Sequence, residues 1–275
     1  MTGPSGLPVG DLPTAEPVTV DLAVPDVVLA VGAHPDDIEF GAGATLARWA
    51  ADGCRVHHLV LTDGSKGTWD PDVDPAALVA TRMDECHASA ARLGGRASAA
   101  RLGGRADVAA RVHFLGRVDG ELADGTDERR EVTRVVRTVR PDVVLGHDPW
   151  RRYRLHPDHR AAGFLTVHAL VAARDPHFFA ELGLSPHRPR TLLLFEPDVP
   201  NHVERADGYE AVKLAALLCH TSQLQSTMGV DPSAGPDDRR EAEEAFDRRL
   251  RRQLAAHGAL AGVPAGEAFH RIDDL

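Results

Sequence analysis

Two short stretches of this 275-residue sequence concentrate residues that can do chemistry: AHPDD at 33–37 and HPDH at 156–159. In the first, Pro35 stiffens a turn on which His34 and Asp37, three apart, can face one centre while Asp36 faces another side of it. One nitrogen and one carboxylate oxygen are half of a zinc site, and HPDH offers His156, Asp158 and His159 to complete it. A catalytic zinc commonly takes three protein ligands and leaves one position for water, with two histidines and one carboxylate among the known sets. His34, Asp37 and His159 are therefore the expected ligands. Asp36 is left to take a proton from water, His156 to donate to an oxyanion or leaving group, and Asp158 to orient the His156 ring. The same donor set also serves non-haem iron, so one Zn2+ per chain is expected, with Fe2+ as the other ion these residues admit.

Each cluster also has an ordinary explanation, because Asp and Pro are favoured in turns, where a carboxylate can cap backbone N–H groups. Two clusters with complementary ligands at two predicted strand ends favour a site over coincidence. The remaining histidines differ. His57 and His58 lie inside a predicted strand, and His168, His177, His187 and His257 on helices or loops, where satisfied or exposed histidines are commoner than ligands. EFGAGATLA contains G-x-G after a strand, but the third glycine of a dinucleotide fingerprint would fall at Leu46, and a carboxylate-rich turn would repel pyrophosphate.

The elements that must position these residues are legible as an alternation of short apolar runs with longer amphipathic ones, the pattern of β-α-β units and a mostly parallel sheet. Strands are expected at 27–31, 56–62, 111–115, 143–146 and 191–195. Helices are expected at 43–52, 75–93, 127–140, 157–173, 209–220 and 237–257. In the third helix, Val132, Val135, Val136 and Val139 form one apolar stripe at i, i+3, i+4 and i+7, and Pro141 stops it. Ligands in open α/β sheets bind beyond the carboxyl ends of the strands, which is where AHPDD and HPDH fall. ARLGGRA occurs twice in residues 91–106, a local duplication that reads as a lengthened loop, since glycine pairs break helices.

Composition bounds the rest. A chain of this length with 43% apolar residues fits one globular domain at 26–275 behind a Pro- and Gly-rich flexible leader at 1–25. Lys and Arg total 31 against 41 Asp and Glu, a net charge of −10 that would repel a phosphate backbone, so nucleic acid is not an expected partner. Cys54, Cys86 and Cys219 are isolated and read as reduced thiols of a cytoplasmic protein. No signal peptide and no apolar run of bilayer length is recognised. A homo-oligomer remains open.

AHPDD with Glu39 and Gly41 following, TDGSKG, TRMDECHASAARLGG, FLGRVDGEL, RPDVVLGHDP and HPDHRAAG together resemble, in that order and over about residues 27–225, the LmbE/PIG-L family of zinc-dependent N-deacetylases. The resemblance implies a Rossmann-like fold of a mostly parallel sheet flanked by helices. It also implies hydrolysis of an N-acyl group, usually acetyl, from a small-molecule glucosamine-type sugar or conjugate, releasing acetate and an amine. By motif it places His34, Asp37 and His159 on zinc, makes Asp36 the base, and makes His156 the acid oriented by Asp158. It further associates Arg82 with substrate, where the plainer alternative is a pair with Glu85. Asp119, Ser65 and Lys66 follow as contacts or rim residues, and His220, Ser222 and Gln223 match a late H-x-SQ segment. Where many members read AHPDDE, this chain has Ile38 and then Glu39, a variant that the bacillithiol-type branch also resembles. An amidase acting on a sugar-thiol conjugate, a metal-dependent phosphoesterase and a non-catalytic binding protein are the competing readings.

Overall fold

The computed structural model describes residues 17–94 and 111–275, which form one eight-stranded sheet in the order β1-β7-β8-β6-β5-β2-β3-β4. The strands are β1 (Thr19–Val20), β2 (Val27–Gly32), β3 (Arg55–Thr62), β4 (Arg111–Arg117), β5 (Val143–His147), β6 (Thr191–Phe195), β7 (His202–Arg205) and β8 (Gly266–Asp273). The run from β6 through β5, β2 and β3 to β4 is parallel, while β8 lies antiparallel between β6 and β7. The helices are α1 (Asp37–Ala51), α2 (Pro75–Gly94), α3 (Thr126–Val139), α4 (Pro157–Arg174), α5 (Glu210–Leu217) and α6 (Pro236–Ala259).

Parallel strands covered on both faces must be apolar on both, which is why VVLAVG is an unbroken apolar run. Alternate residues of β2 enter different cores. Val28 and Ala30 pack with α1 and α2 through Leu46, Trp49 and Cys86, whereas Leu29 and Val31 pack with α3 and α4 through Val132, Val136 and Leu165. Each such fully buried aliphatic side chain contributes about 1.5–3 kcal/mol. The predicted valine stripe of α3 is the buried face of that helix at Val132, Val135 and Val136.

Three departures from expectation have physical causes. The expected leader, residues 1–25, overlaps β1, which pairs with β7, and Glu204 of β7 accepts a hydrogen bond from Leu22 N at 2.7 Å and pairs with Arg48. β7 and β8 carry charged residues that a strand reading discounts, yet Glu204 and Glu267 are buried because each meets a cation. The first helix begins at Asp37, six residues early, because it is kinked at Ala42 (φ −146°). The repeated ARLGGRA segment lies mostly outside the described residues, beyond the end of α2.

The kink is held from outside the helix. Phe40 O accepts from Lys213 Nζ at 2.7 Å, and the N–H groups of Ala44 and Thr45 donate to Glu267 at 3.1 and 2.7 Å. Lys213 and Glu267 themselves pair at 2.6 Å in a buried setting. Glu267→Ala removes the partner of a buried ammonium and two N–H acceptors, so a loss of about 3–5 kcal/mol is expected in urea unfolding. A loss below about 1 kcal/mol would show that the pair does not hold the kink.

A pH effect follows from β3 and β4. His57 lies 3.2 Å from His113, and burial, with the charges of His113 and Arg111, lowers it to about 4. The unfolded ring takes a proton below its ordinary 6.5 and the folded ring does not. Stability therefore falls as pH drops from about 6.5 toward 4. His57→Gln should flatten that slope in melting curves, and an unchanged slope would assign it elsewhere.

Candidate active site and metal centre

β2, β3 and β4 step toward one edge of the sheet, and the chain then returns to place β5 on the other side of β2. The crevice between β2 and β5 is thus the topological switch point, where connections diverge and leave room for a ligand. AHPDD leaves β2 there, and the segment ending in HPDH leaves β5. The loop after β3 brings Lys66, and the turn after β4 brings Asp119.

The two motifs meet through Asp37. Its Oδ2 lies 3.3 Å from His34 Nδ1 and accepts from His34 N at 2.7 Å, and its Oδ1 lies 3.2 Å from His159 Nε2. His34 Nε2 points the other way, 3.2 Å from both Asp119 Oδ1 and Asp158 Oδ2. Burial alone would lower His34, but the hydrogen bonds to Asp119, Asp158 and Asp37 raise it to about 12. Burial likewise opposes the charge on Asp37, yet His159 and His147 hold it well below the usual carboxylate range. Three buried carboxylates, Asp36, Asp119 and Asp158, with the half-buried Asp37, thus surround a place that demands positive charge.

This donor set fits a divalent ion. His34, His156 and His159 form one group whose donor atoms lie within 4.8 Å of one another, and Asp37, His147 and His159 form another. The expected trio His34, Asp37 and His159 spans both. Its free His34 Nε2 faces carboxylates, the arrangement that fixes the ring of a ligating histidine.

Asp158 does not orient His156, as the sequence suggested. Its carboxylate accepts from Gly120 N (2.6 Å) and Leu122 N (3.2 Å) and faces His34; only its backbone N–H reaches His156 Nδ1, at 3.3 Å. The reason is helix geometry: His156 caps the N-terminus of α4, and Asp158, two residues in, projects inward. With Nδ1 accepting, the His156 proton sits on Nε2.

Asp36 has φ 112°, a left-handed backbone that costs a non-glycine residue about 1–3 kcal/mol and is met at functional sites. Burial pushes its carboxyl up to about 6, opposed by the guanidinium of Arg82 3.7 Å away. Arg82 does not pair with Glu85. It donates to Pro35 O (2.6 Å) and Gly64 O (3.0 Å), tying the AHPDD turn to the loop after β3, and a Cβ at Gly64 or Gly67 would collide with it. Glu85 instead accepts from Thr221 Oγ1, Ser222 N and Ser222 Oγ, and Gln223 Nε2 donates to Gly67 O at 2.8 Å. The late H-x-SQ segment therefore clamps the same loop. Glu39 lies behind the site, accepting from Ser89 Oγ at 2.6 Å and facing His220 at 3.7 Å.

A cavity of about 580 Å³ opens over these residues, also lined by Phe40, Trp69, Glu196, Ser226 and Thr227. Lys66 lines it with Nζ on Glu121 at 2.8 Å; Ser65 does not line it, and its N–H donates to Asp63. His147 has no role among the sequence expectations, although a histidine ending an apolar strand beside two other clusters is a usable signal.

Fold and site define a metal-dependent hydrolytic enzyme built at the switch point of an open α/β sheet. The family profile of PIG-L, GlcNAc-PI de-N-acetylase, matches residues 29–170, and the chain belongs to this family of metal-dependent N-deacetylases. It is 36% identical over 200 residues to diacetylchitobiose deacetylase of Thermococcus kodakarensis, covering 72% of this chain and 70% of the relative. It is 31% identical over 242 residues to 1D-myo-inositol 2-acetamido-2-deoxy-alpha-D-glucopyranoside deacetylase 2 of Saccharopolyspora erythraea, covering 71% and 83%. Among solved structures, N,N'-diacetylchitobiose deacetylase from Pyrococcus horikoshii with its inhibitor MPG matches with a TM-score of 0.75 at 30% identity, covering 90% of this chain and 84% of that one. No helix among the described residues is long and apolar enough to cross a membrane.

Asp36→Gly relieves both the backbone strain and a buried charge. It should raise unfolding free energy by about 1–3 kcal/mol in urea denaturation. A destabilised Asp36→Gly protein would mean that the conformation is not strained.

Proposed function

We propose that this enzyme removes an acetyl group from the nitrogen of a glucosamine unit in a neutral sugar or sugar conjugate, with one ion, zinc or iron(II), held by His34, Asp37 and His159. The reading rests on one observation above others: Asp37 brings a nitrogen of each histidine to its two oxygens while the neighbouring Asp36 carboxylate stays outside that set. When bound, the ion supplies Lewis acidity to the acyl oxygen and lowers the pKa of water toward about 7. Asp36 accepts the proton of the attacking water; a carboxyl raised to about 6 is ionised at neutral pH yet basic enough for the task. Attack on the amide carbon gives a tetrahedral oxyanion, and His156, with N–H on Nε2, donates to it or to the departing nitrogen. Asp158 and Asp119 hold the His34 ring through Nε2. Arg82 sets the Asp36 turn and acts on substrate through it.

The charge inventory of the cavity favours a neutral substrate. Among the described residues lining it, the only Lys and Arg are Lys66, engaged by Glu121, and Arg82, engaged by two carbonyls and Asp36. A phosphodiester would find no free cation and would face Glu196. The exposed face of Trp69 and the hydroxyls of Ser226 and Thr227 suit a sugar ring.

Free amine released from N-acetylglucosamine, N,N'-diacetylchitobiose and a phosphoinositol-linked N-acetylglucosamine tests this choice, with the neutral substrates expected to react faster; the reverse order would sink the neutral-substrate reading. Asp36→Asn should keep its metal by elemental analysis and lose about 10²–10⁴-fold in kcat. His159→Ala should lose the metal, and full occupancy would remove it from the ligand set.

A further inference from the structure

Three residues outside the proposed ligand set, Glu196, Arg154 and His147, form a chain that ends on Asp37. His147, at the end of β5, is 1% exposed and places Nε2 3.1 Å from Asp37 Oδ2. Arg154, its side chain 4% exposed, places Nη1 3.1 Å from Nδ1 of His147 and 3.1 Å from Nδ1 of His159. Its Nη2 donates to Glu196 Oε2 at 2.9 Å. A guanidinium offers donors only, so Arg154 Nη1 needs at least one of these two ring nitrogens as an acceptor. With Nδ1 accepting, His147 carries its proton on Nε2, which lies 3.1 Å from Asp37 Oδ2 and 3.4 Å from the N of Ala33. Turning its lone pair toward Asp37 or toward an ion would set a buried N–H against the arginine.

The His159 ring, stacked on His147 with centroids 4.4 Å apart, meets the same arginine with a different consequence. For His159 Nε2 to act as a ligand its proton must reside on Nδ1, and Arg154 then keeps His147 as its remaining ring acceptor. The two histidines meet Asp37 and Arg154 alike, and it is the role of His159 as ligand that leaves His147 as the acceptor of the guanidinium.

We infer that His147 is a positioning residue for the metal carboxylate: Arg154, anchored by Glu196, sets its tautomer, and the Nε2–H holds Asp37 Oδ2 so that Oδ1 is presented to the ion. This rests on Asp37 and His159 being ligands. The competing arrangement, in which His147 itself coordinates with Asp37 and His159, predicts different behaviour.

The test is zinc affinity, by competition with a chromogenic chelator, together with the visible spectrum of the cobalt(II)-loaded protein. His147→Leu, which lacks the donor, should bind zinc about 10–100-fold more weakly. His147→Gln returns an N–H and should recover part of that loss. Arg154→Gln should weaken zinc binding less than His147→Leu, and the double variant should be no weaker than His147→Leu, because both act through one hydrogen bond. Cobalt bands in His147→Leu should match those of the unaltered protein. Arg154 stands outside the helices and strands, so its variant reports even if His147→Leu fails to fold. Unchanged affinity in both variants, fully additive losses, or cobalt bands that report a lost nitrogen ligand would each overturn the inference. Full zinc affinity in Asp37→Asn would instead overturn the ligand assignment beneath it, an outcome separable from the others.

Discussion

Positive charge is what the crevice between β2 and β5 lacks. Three buried carboxylates, Asp36, Asp119 and Asp158, and the half-buried Asp37 gather there, with the guanidinium of Arg82 beside Asp36 and that of Arg154 behind the histidines. Isolated buried carboxylates would neutralise themselves by taking up protons. Here three of them are held ionised by facing histidines and backbone N–H groups, and His34 is held as a cation between them. A bound divalent ion answers the same demand, so metal binding and the stability of this end of the sheet are one electrostatic problem.

The scaffold is arranged so that the carboxylates cannot relax away from one another. Arg82 ties the AHPDD turn to the loop after β3 through two carbonyls, and Gln223 ties that loop to the segment after α5. Gly120 and Leu122 hold Asp158, and Lys66 N holds Asp119 at 3.1 Å. Farther out, the kink of α1 is secured by Glu267 and Lys213, which come from β8 and α5. The strained Asp36 is thus the product of constraints from several distant segments, which is how an unfavourable backbone conformation persists.

Much of the parallel core was legible because its physics is local. VVLAVG, LLLF and the valine stripe of α3 announce burial through apolar periodicity, and the strand at 191–195 matches β6 residue for residue. Where charge had to be buried, periodicity misled: HVER and GEAFHRID form β7 and β8 because Glu204 meets Arg48 and Glu267 meets Lys213, partners far away in sequence. The motif pair was legible in the same local way, since Pro35 and Pro157 each set a histidine and a carboxylate at a fixed offset. What each carboxylate faces was not, and Asp158 was assigned to His156 by sequence proximity although its oxygens serve His34.

The sequence by itself determined which candidate metal-binding residues the chain carries and the chain order of the elements carrying them, because residue type and turn chemistry are properties of a few consecutive residues. Tertiary structure alone decided which nitrogen meets which oxygen. Asp119 joined Asp158 on His34, Arg82 turned from Glu85 to two carbonyls, and His147, silent in sequence, came to rest on Asp37 with Arg154 behind it. Those pairings depend on β5 returning beside β2, and strand order is a long-range choice that no local pattern records.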